Sequence, residues 1–76
     1  MIDIVDRIAE LVENVERRRP NIGLLSTGEA IAVAMVLNDA ELLPEGYATW
    51  AEAACRLGED WLSAAVTVQR DRPRAA

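Results

Sequence analysis

The feature that most constrains the fold is an uninterrupted apolar run, Ala30 to Leu37, placed directly behind a helix-start signal. The tetrapeptide from Ser26 to Glu29 fits a capping box, in which the serine hydroxyl and the glutamate carboxylate each bind the other residue's backbone N–H. We therefore predict a helix over residues 27–38. A helix that is apolar all round must be buried all round. In a chain of 76 residues, either the other helices wrap this one or a second copy covers one side of it, and the shortness of the other helices favours a homodimer.

Three further helices are predicted around this one. Residues 2–19 carry apolar side chains at alternating three- and four-residue spacing, and Pro20 follows as a helix breaker. A second capping box, Thr49 to Glu52, opens a helix over residues 49–57. Gly58 ends that helix, and residues 59–69 form the second arm of a helical hairpin.

The predicted fold is therefore all-α, a compact bundle of about four short helices. Their ranges are 2–19, 27–38, 49–57 and 59–69. Residues 1–69 are predicted to form a single domain and residues 70–76 a frayed tail. Asp3 and Asp6 stand where a secretory signal would be basic, and the eight-residue apolar run is far shorter than the roughly 20 residues that cross a bilayer. A cytoplasmic protein without a membrane segment is the expectation.

Composition excludes most catalytic chemistry. The chain has no His and one Cys, so it lacks the common general base near neutral pH and the usual zinc ligands. Cys55 has no His that could activate its thiol, and we expect it to be a small packed core residue. No phosphate-binding glycine run and no calcium loop occurs. We expect a protein without enzymatic activity, cofactor or metal.

Charge is distributed unevenly along the chain. The net charge is −5, yet residues 20–69 alone carry seven acids against one Arg. These acids are Glu29, Asp39, Glu41, Glu45, Glu52, Glu59 and Asp60. The acidic surface formed by residues 20–69 is either simply solvated or binds a basic partner, which includes the case of a protein that itself binds nucleic acid. In size and charge, though in no motif, the chain is similar to phage- and plasmid-encoded nuclease inhibitors such as anti-CRISPR and anti-restriction proteins.

The aromatic residues add a candidate anchor to this acidic surface. Tyr47, Trp50 and Trp61 fall within 15 residues, and Tyr and Trp are enriched at binding hot spots. We therefore predict a non-enzymatic protein–protein interaction protein, acting as an inhibitor, an adaptor or a small regulator. The predicted partner-binding residues are Glu41, Glu45, Tyr47, Trp50, Glu52, Glu59, Asp60 and Trp61.

The alternative is a transcriptional regulator. Residues 49–69 resemble a helix-turn-helix DNA-binding unit, because Ala54 stands four residues before the turn glycine Gly58. That resemblance implies that the last helix reads DNA. The would-be reading helix begins with Glu59 and Asp60, however, whereas DNA affinity comes mainly from Lys and Arg on phosphates. Direct nucleic-acid binding is therefore not expected.

Overall fold

Four α-helices form most of residues 3–72, the part of the chain that the computed structural model describes. They are α1 (Ile4–Arg17), α2 (Thr27–Leu37), α3 (Trp50–Leu57) and α4 (Glu59–Asp71). Two short 3₁₀ helices lie in the connections, at Arg19–Leu24 and Ala40–Leu42. No strand occurs among these described residues, and the predicted all-α bundle of about four short helices is confirmed.

Helix α2 is the centre of the bundle. Its residues from Ala30 to Ala34 are all buried, and so is Val36. The chain itself supplies the cover, because α1, α3, α4 and the Ala40–Leu42 segment all pack against α2. Alanines at positions 30, 32 and 34 keep the helix narrow, so its neighbours approach closely. The reason for predicting a homodimer is therefore wrong: one chain covers this apolar helix.

The two predicted capping boxes differ in the structure. At α2 the box is complete, since Glu29 N donates to Ser26 Oγ at 3.3 Å and Ser26 N donates to Glu29 Oε1 at 3.0 Å. At α3 the Thr49 hydroxyl accepts from Glu52 N at 3.1 Å. The Glu52 carboxylate then accepts from that same hydroxyl at 3.1 Å instead of from the Thr49 backbone. The second box is therefore only half formed.

Within the described residues, helix α1 is shorter than the predicted range 2–19, of which residue 2 lies outside them. It begins at Ile4 behind the N-cap Asp3 and ends at Arg17, and Arg18 is extended. The carbonyl of Asn14 closes this end, accepting from Arg18 N at 3.1 Å and from Asn21 Nδ2 at 3.0 Å. Pro20 then lies in the first turn of a 3₁₀ helix, where its missing N–H is harmless.

The C-terminal end is more ordered than predicted. Helix α4 continues to Asp71, beyond the predicted end at residue 69. Arg72 N donates to Val68 O at 3.1 Å, and the Arg72 guanidinium binds both carboxylate oxygens of Glu16, at 3.0 and 2.7 Å. The prediction of a frayed tail is therefore wrong for residues 70–72, because α1 holds them. Residues 73–76 of that tail lie outside the described residues.

The core between these helices is aliphatic. Buried side chains from α1 and α4 meet those of α2, with Ala53, Leu57 and Leu42 closing the remaining side. Within residues 3–72 no polar or charged residue is buried. None of the helices in this part of the chain has the length and apolar content needed to cross a membrane.

Candidate functional site

An open groove of about 220 Å³ lies where α3, α4 and the end of α2 meet. We call it the Trp50 groove. It is lined by Met35, Asn38, Trp50, Leu62, Ala65, Val66 and Gln69. Val66 is 44% exposed, and within residues 3–72 it shares this degree of exposure among large hydrophobic side chains only with Leu24, which is 83% exposed.

Local helix geometry explains how the groove is built. Leu62, Val66 and Gln69 share one face of α4, because residues three and four apart are neighbours on a helix. Gln69 Nε2 donates to Met35 O at 3.0 Å, which fixes this face against the end of α2. The carbonyl end of α2 carries a negative partial charge, and its last turn holds no basic residue. The groove is therefore apolar at its sides and electronegative at one end.

Three of the predicted acidic residues lie in two of the helices that form this groove. Glu59 stands one turn before Leu62 on the same face of α4, whereas Glu52, two positions after Trp50, projects from a different side of α3. Asp60 is next to Glu59 in the first turn of α4, and all three are exposed. Among the described residues none of the three forms an ion pair. Of the three, helix spacing places Glu59 beside a groove residue, Leu62.

The structure separates the other predicted residues from this groove. Trp61 lines a different depression at the start of α2, together with Glu29 and Arg56. Helix α2 has 11 residues and is about 16 Å long, so Trp50 and Trp61 lie at opposite ends of it. Tyr47, like both tryptophans, is half-buried against the core.

Glu41 and Glu45 lie on a third part of the surface. Glu41 lines a groove beside the Arg19–Leu24 segment, and Glu45 follows Pro44, which lines the same groove. The eight predicted residues thus do not form one continuous patch. Val66 and Gln69 were not among the predicted residues. One signal was present in the sequence: Val66 is a large apolar side chain that lies outside the inward-facing positions predicted for the last helix, which are Trp61, Leu62, Ala65 and Val68.

Arginines form ion pairs with other acidic residues of the segment 20–69. Arg7 binds Glu29 across α1 and α2 at 3.0 Å, and Arg19 binds Asp39 at 2.9 Å. With the Arg72–Glu16 pair, these contacts tie distant segments of the chain together. Glu29 and Asp39, two of the seven acids, therefore stabilise the fold.

Each of these contacts lowers the pKa of its carboxyl group. The Arg72 hydrogen bond holds the pKa of Glu16 below its ordinary value, and the Arg19 hydrogen bond does the same to the pKa of Asp39. For Glu29 the main cause of its lowered pKa is the hydrogen bond from the Ser26 backbone N–H, with Arg7 adding to it. In all three cases the ionised form is the one that the fold stabilises.

We expect stability to fall in acid for this reason. The pKa of each of these carboxyl groups is lower in the folded chain than in the unfolded chain. The stabilisation that they give to the fold is therefore complete when the pH is above the unfolded pKa values, and it is lost progressively as the pH falls below about 5. Glu16→Gln is expected to weaken this pH dependence of the melting temperature, followed by circular dichroism. Because the Glu16 side chain is 45% exposed, its pair contributes at most about 1 kcal/mol. Glu13→Gln is the control, since Glu13 makes no ion pair within residues 3–72. If both variants change the pH dependence of the melting temperature equally, the Glu16–Arg72 ion pair is not its cause.

Metal ligands do not cluster in the described part of the chain. No three Cys, Asp or Glu side chains there could hold a metal ion together. Cys55 is exposed, so its predicted place in the core is wrong. Ala53 and Leu57 occupy the core-facing positions of α3, and a residue two positions after Ala53 points to solvent on a helix.

The connection between α3 and α4 departs from the helix-turn-helix pattern. That unit uses a turn of about three or four residues. Here Gly58 alone joins the helices and caps both of them, with φ 86° and ψ 163°. Glu59 and Asp60 are exposed at the end of α4 that would have to approach DNA.

Comparison of the chain with protein-family models, with curated proteins and with solved structures finds no match.

Proposed function

We propose that the protein is a non-enzymatic interaction module that inhibits, recruits or regulates another protein by occupying a basic surface on it. The observation that carries this proposal is the Trp50 groove: an open apolar depression with a half-buried tryptophan, an exposed valine and one unpaired carboxylate, Glu59, one helical turn from Leu62. Burial of such an aromatic anchor in a partner is typical of binding hot spots.

The size of the groove favours a protein partner. Pockets for small molecules usually enclose about 300–1,000 Å³, and this groove holds about 220 Å³ and is open. That volume fits one or two side chains of a partner. An apolar side chain seated between Trp50 and Val66 would remove both of them from water.

The charges around the groove favour a basic partner. Glu59 lies one turn from Leu62, Glu52 and Asp60 are exposed on the same two helices, and the carbonyl end of α2 adds negative partial charge. Lys or Arg next to the seated apolar side chain would be attracted to both, and the net charge of −5 would speed the encounter. Proteins that bind nucleic acid carry such basic surfaces, and the same carboxylates oppose direct contact with DNA.

Variants of the exposed residues test this proposal without disturbing the core. The wild-type chain is used to capture partners from a nuclease-treated lysate, and the dissociation constant of each identified partner is then measured by calorimetry. Val66→Arg, which places a cation in the groove, is expected to raise that constant at least about 10-fold. Glu52→Gln with Glu59→Gln is expected to raise it less and to reduce its dependence on salt.

The matched control removes the same charge elsewhere. Glu10 and Glu13 are exposed on α1, and the double variant Glu10→Gln/Glu13→Gln is expected to bind like wild type. Equal binding by all variants, or retardation of a DNA duplex by the wild-type chain at low salt, overturns the proposal.

A further inference from the structure

The last turn of α4 is held at two points by two different helices. Arg72 donates to both carboxylate oxygens of Glu16 on α1, at 3.0 and 2.7 Å. One turn earlier, Gln69 Nε2 donates to Met35 O at 3.0 Å and lies 3.5 Å from Val36 O, and both carbonyls belong to the end of α2. The same turn therefore connects an ion pair on one side of α4 with the wall of the Trp50 groove on the other.

We propose that the Glu16–Arg72 ion pair controls the shape of the Trp50 groove. While the pair is closed, the last turn of α4 is formed and Gln69 stays bound to α2. When the pair opens, that turn frays, Gln69 leaves the carbonyls of α2, and Val66 moves relative to Trp50. As a control of partner binding this inference rests on the proposed function, whereas the coupling itself is a property of the chain without a partner.

Helix geometry places the two contacts next to each other. Gln69 and Arg72 are three residues apart, so they are neighbours on the surface of α4. The helix ends at Asp71, and Arg72 N closes it by donating to Val68 O at 3.1 Å. Helix ends fray readily, so side-chain contacts decide how far the last turn is formed. Loss of the contact at Arg72 is therefore transmitted first to Gln69.

The ion pair is accessible enough to open without unfolding the chain. The side chains of Glu16 and Arg72 are 45% and 31% exposed, and pairs in such positions are weak and are screened by salt. Val12 and Val68 line the same depression beneath the pair, and both are buried. Their packing holds α1 against α4 when the pair is open. The change is therefore confined to the end of α4.

Coupling of this kind acts in both directions. A partner side chain that is seated against Val66 and Gln69 would stabilise the ordered last turn, and with it the closed ion pair. Salt, or a charged group of another molecule that competes for Glu16 or Arg72, would open the pair and weaken binding in the groove. Since exposed ion pairs contribute little, the expected coupling is about 2- to 5-fold.

Nuclear magnetic resonance of the full chain, with no partner present, tests the coupling. In Glu16→Gln we expect the Arg72 backbone amide to exchange with water about 2- to 5-fold faster than in the wild type. The methyl resonances of Val66 and the indole N–H resonance of Trp50, called the groove resonances, are expected to shift in the same variant. Glu13→Gln is the matched control, because it removes the same charge from the same depression and is expected to leave both measurements unchanged.

Two double variants identify the cause of the shift. Arg72→Gln is expected to move the groove resonances as Glu16→Gln does, and the double variant no further than either, because all three lack the ion pair. In a Gln69→Ala background, Glu16→Gln is expected to leave the groove resonances unchanged, since the bond to α2 is already absent.

Three outcomes overturn the proposal. The first is an unchanged exchange rate at Arg72 in Glu16→Gln, and the second is faster exchange there with unchanged groove resonances. The third is a shift of the groove resonances by Glu16→Gln that persists in the Gln69→Ala background. None of these results depends on whether the groove binds a partner, so they are distinguishable from a failure of the proposed function.

Discussion

Replacing Ile31 by alanine is expected to lower the free energy of unfolding by about 2–5 kcal/mol. Ile31 is fully buried on α2, and α1, α3 and α4 all pack against that helix. The loss combines the transfer free energy of the removed methyl and methylene groups with the cavity that remains, because helices held on all sides cannot close it. A domain of this size has a total free energy of unfolding of about 4–11 kcal/mol, so this one substitution removes a large part of its stability.

Urea unfolding followed by far-UV circular dichroism measures this loss. Ile31→Val removes one methylene at the same position and is expected to cost about 1 kcal/mol. Leu24→Ala is the surface control, since Leu24 is 83% exposed and is expected to change the value by less than about 0.5 kcal/mol. A loss below about 1 kcal/mol for Ile31→Ala contradicts the central place of α2.

The sequence was sufficient to predict the four helices because their signals are local. The Ser26–Glu29 box, the apolar spacing of α1 and the glycine at position 58 each act within a few residues. The apolar run of α2 also predicted its burial correctly. It did not reveal how many chains provide the cover, because that depends on how closely neighbours approach the alanines of α2.

The ends of the helices depend on contacts between distant residues. Arg72 binds Glu16, which is 56 positions away in the chain, and this pair keeps the end of α4 in place. Gln69 binds the carbonyl of Met35, 34 positions away. Neither partner is visible in a local pattern, and this is why the end of α4 was predicted too early.

The candidate site was only partly predictable for the same reason. Trp50 and the neighbouring carboxylates follow from residue type, whereas the groove depends on the direction in which α4 crosses α2. That direction places Val66 beside Trp50 and sends Trp61 to the opposite end of α2. Residues close in sequence were therefore assigned to one patch although the fold separates them.

Gly58→Ala is expected to destabilise the chain by about 1–3 kcal/mol. At φ 86° and ψ 163°, Gly58 adopts a backbone conformation that is almost restricted to glycine. It is also the single residue between α3 and α4, so no neighbouring linker residue can absorb the strain. Relief would require the end of α3 or the start of α4 to unwind, which would shift Trp50 relative to Leu62 and Val66 and change the groove.

Two controls separate backbone strain from crowding. A Cβ atom at Gly58 would meet nothing within 4 Å, so a steric clash is not the expected cause. Gly28→Ala has the same open surroundings but lies within α2, and it is expected to stabilise the chain by up to about 1 kcal/mol. A D-alanine at position 58, introduced by chemical synthesis, favours positive φ and should retain the stability of the wild type. If urea unfolding shows that the D- and L-alanine chains lose equal stability, space rather than φ limits this position. The explanation by the positive φ of Gly58 is then incorrect.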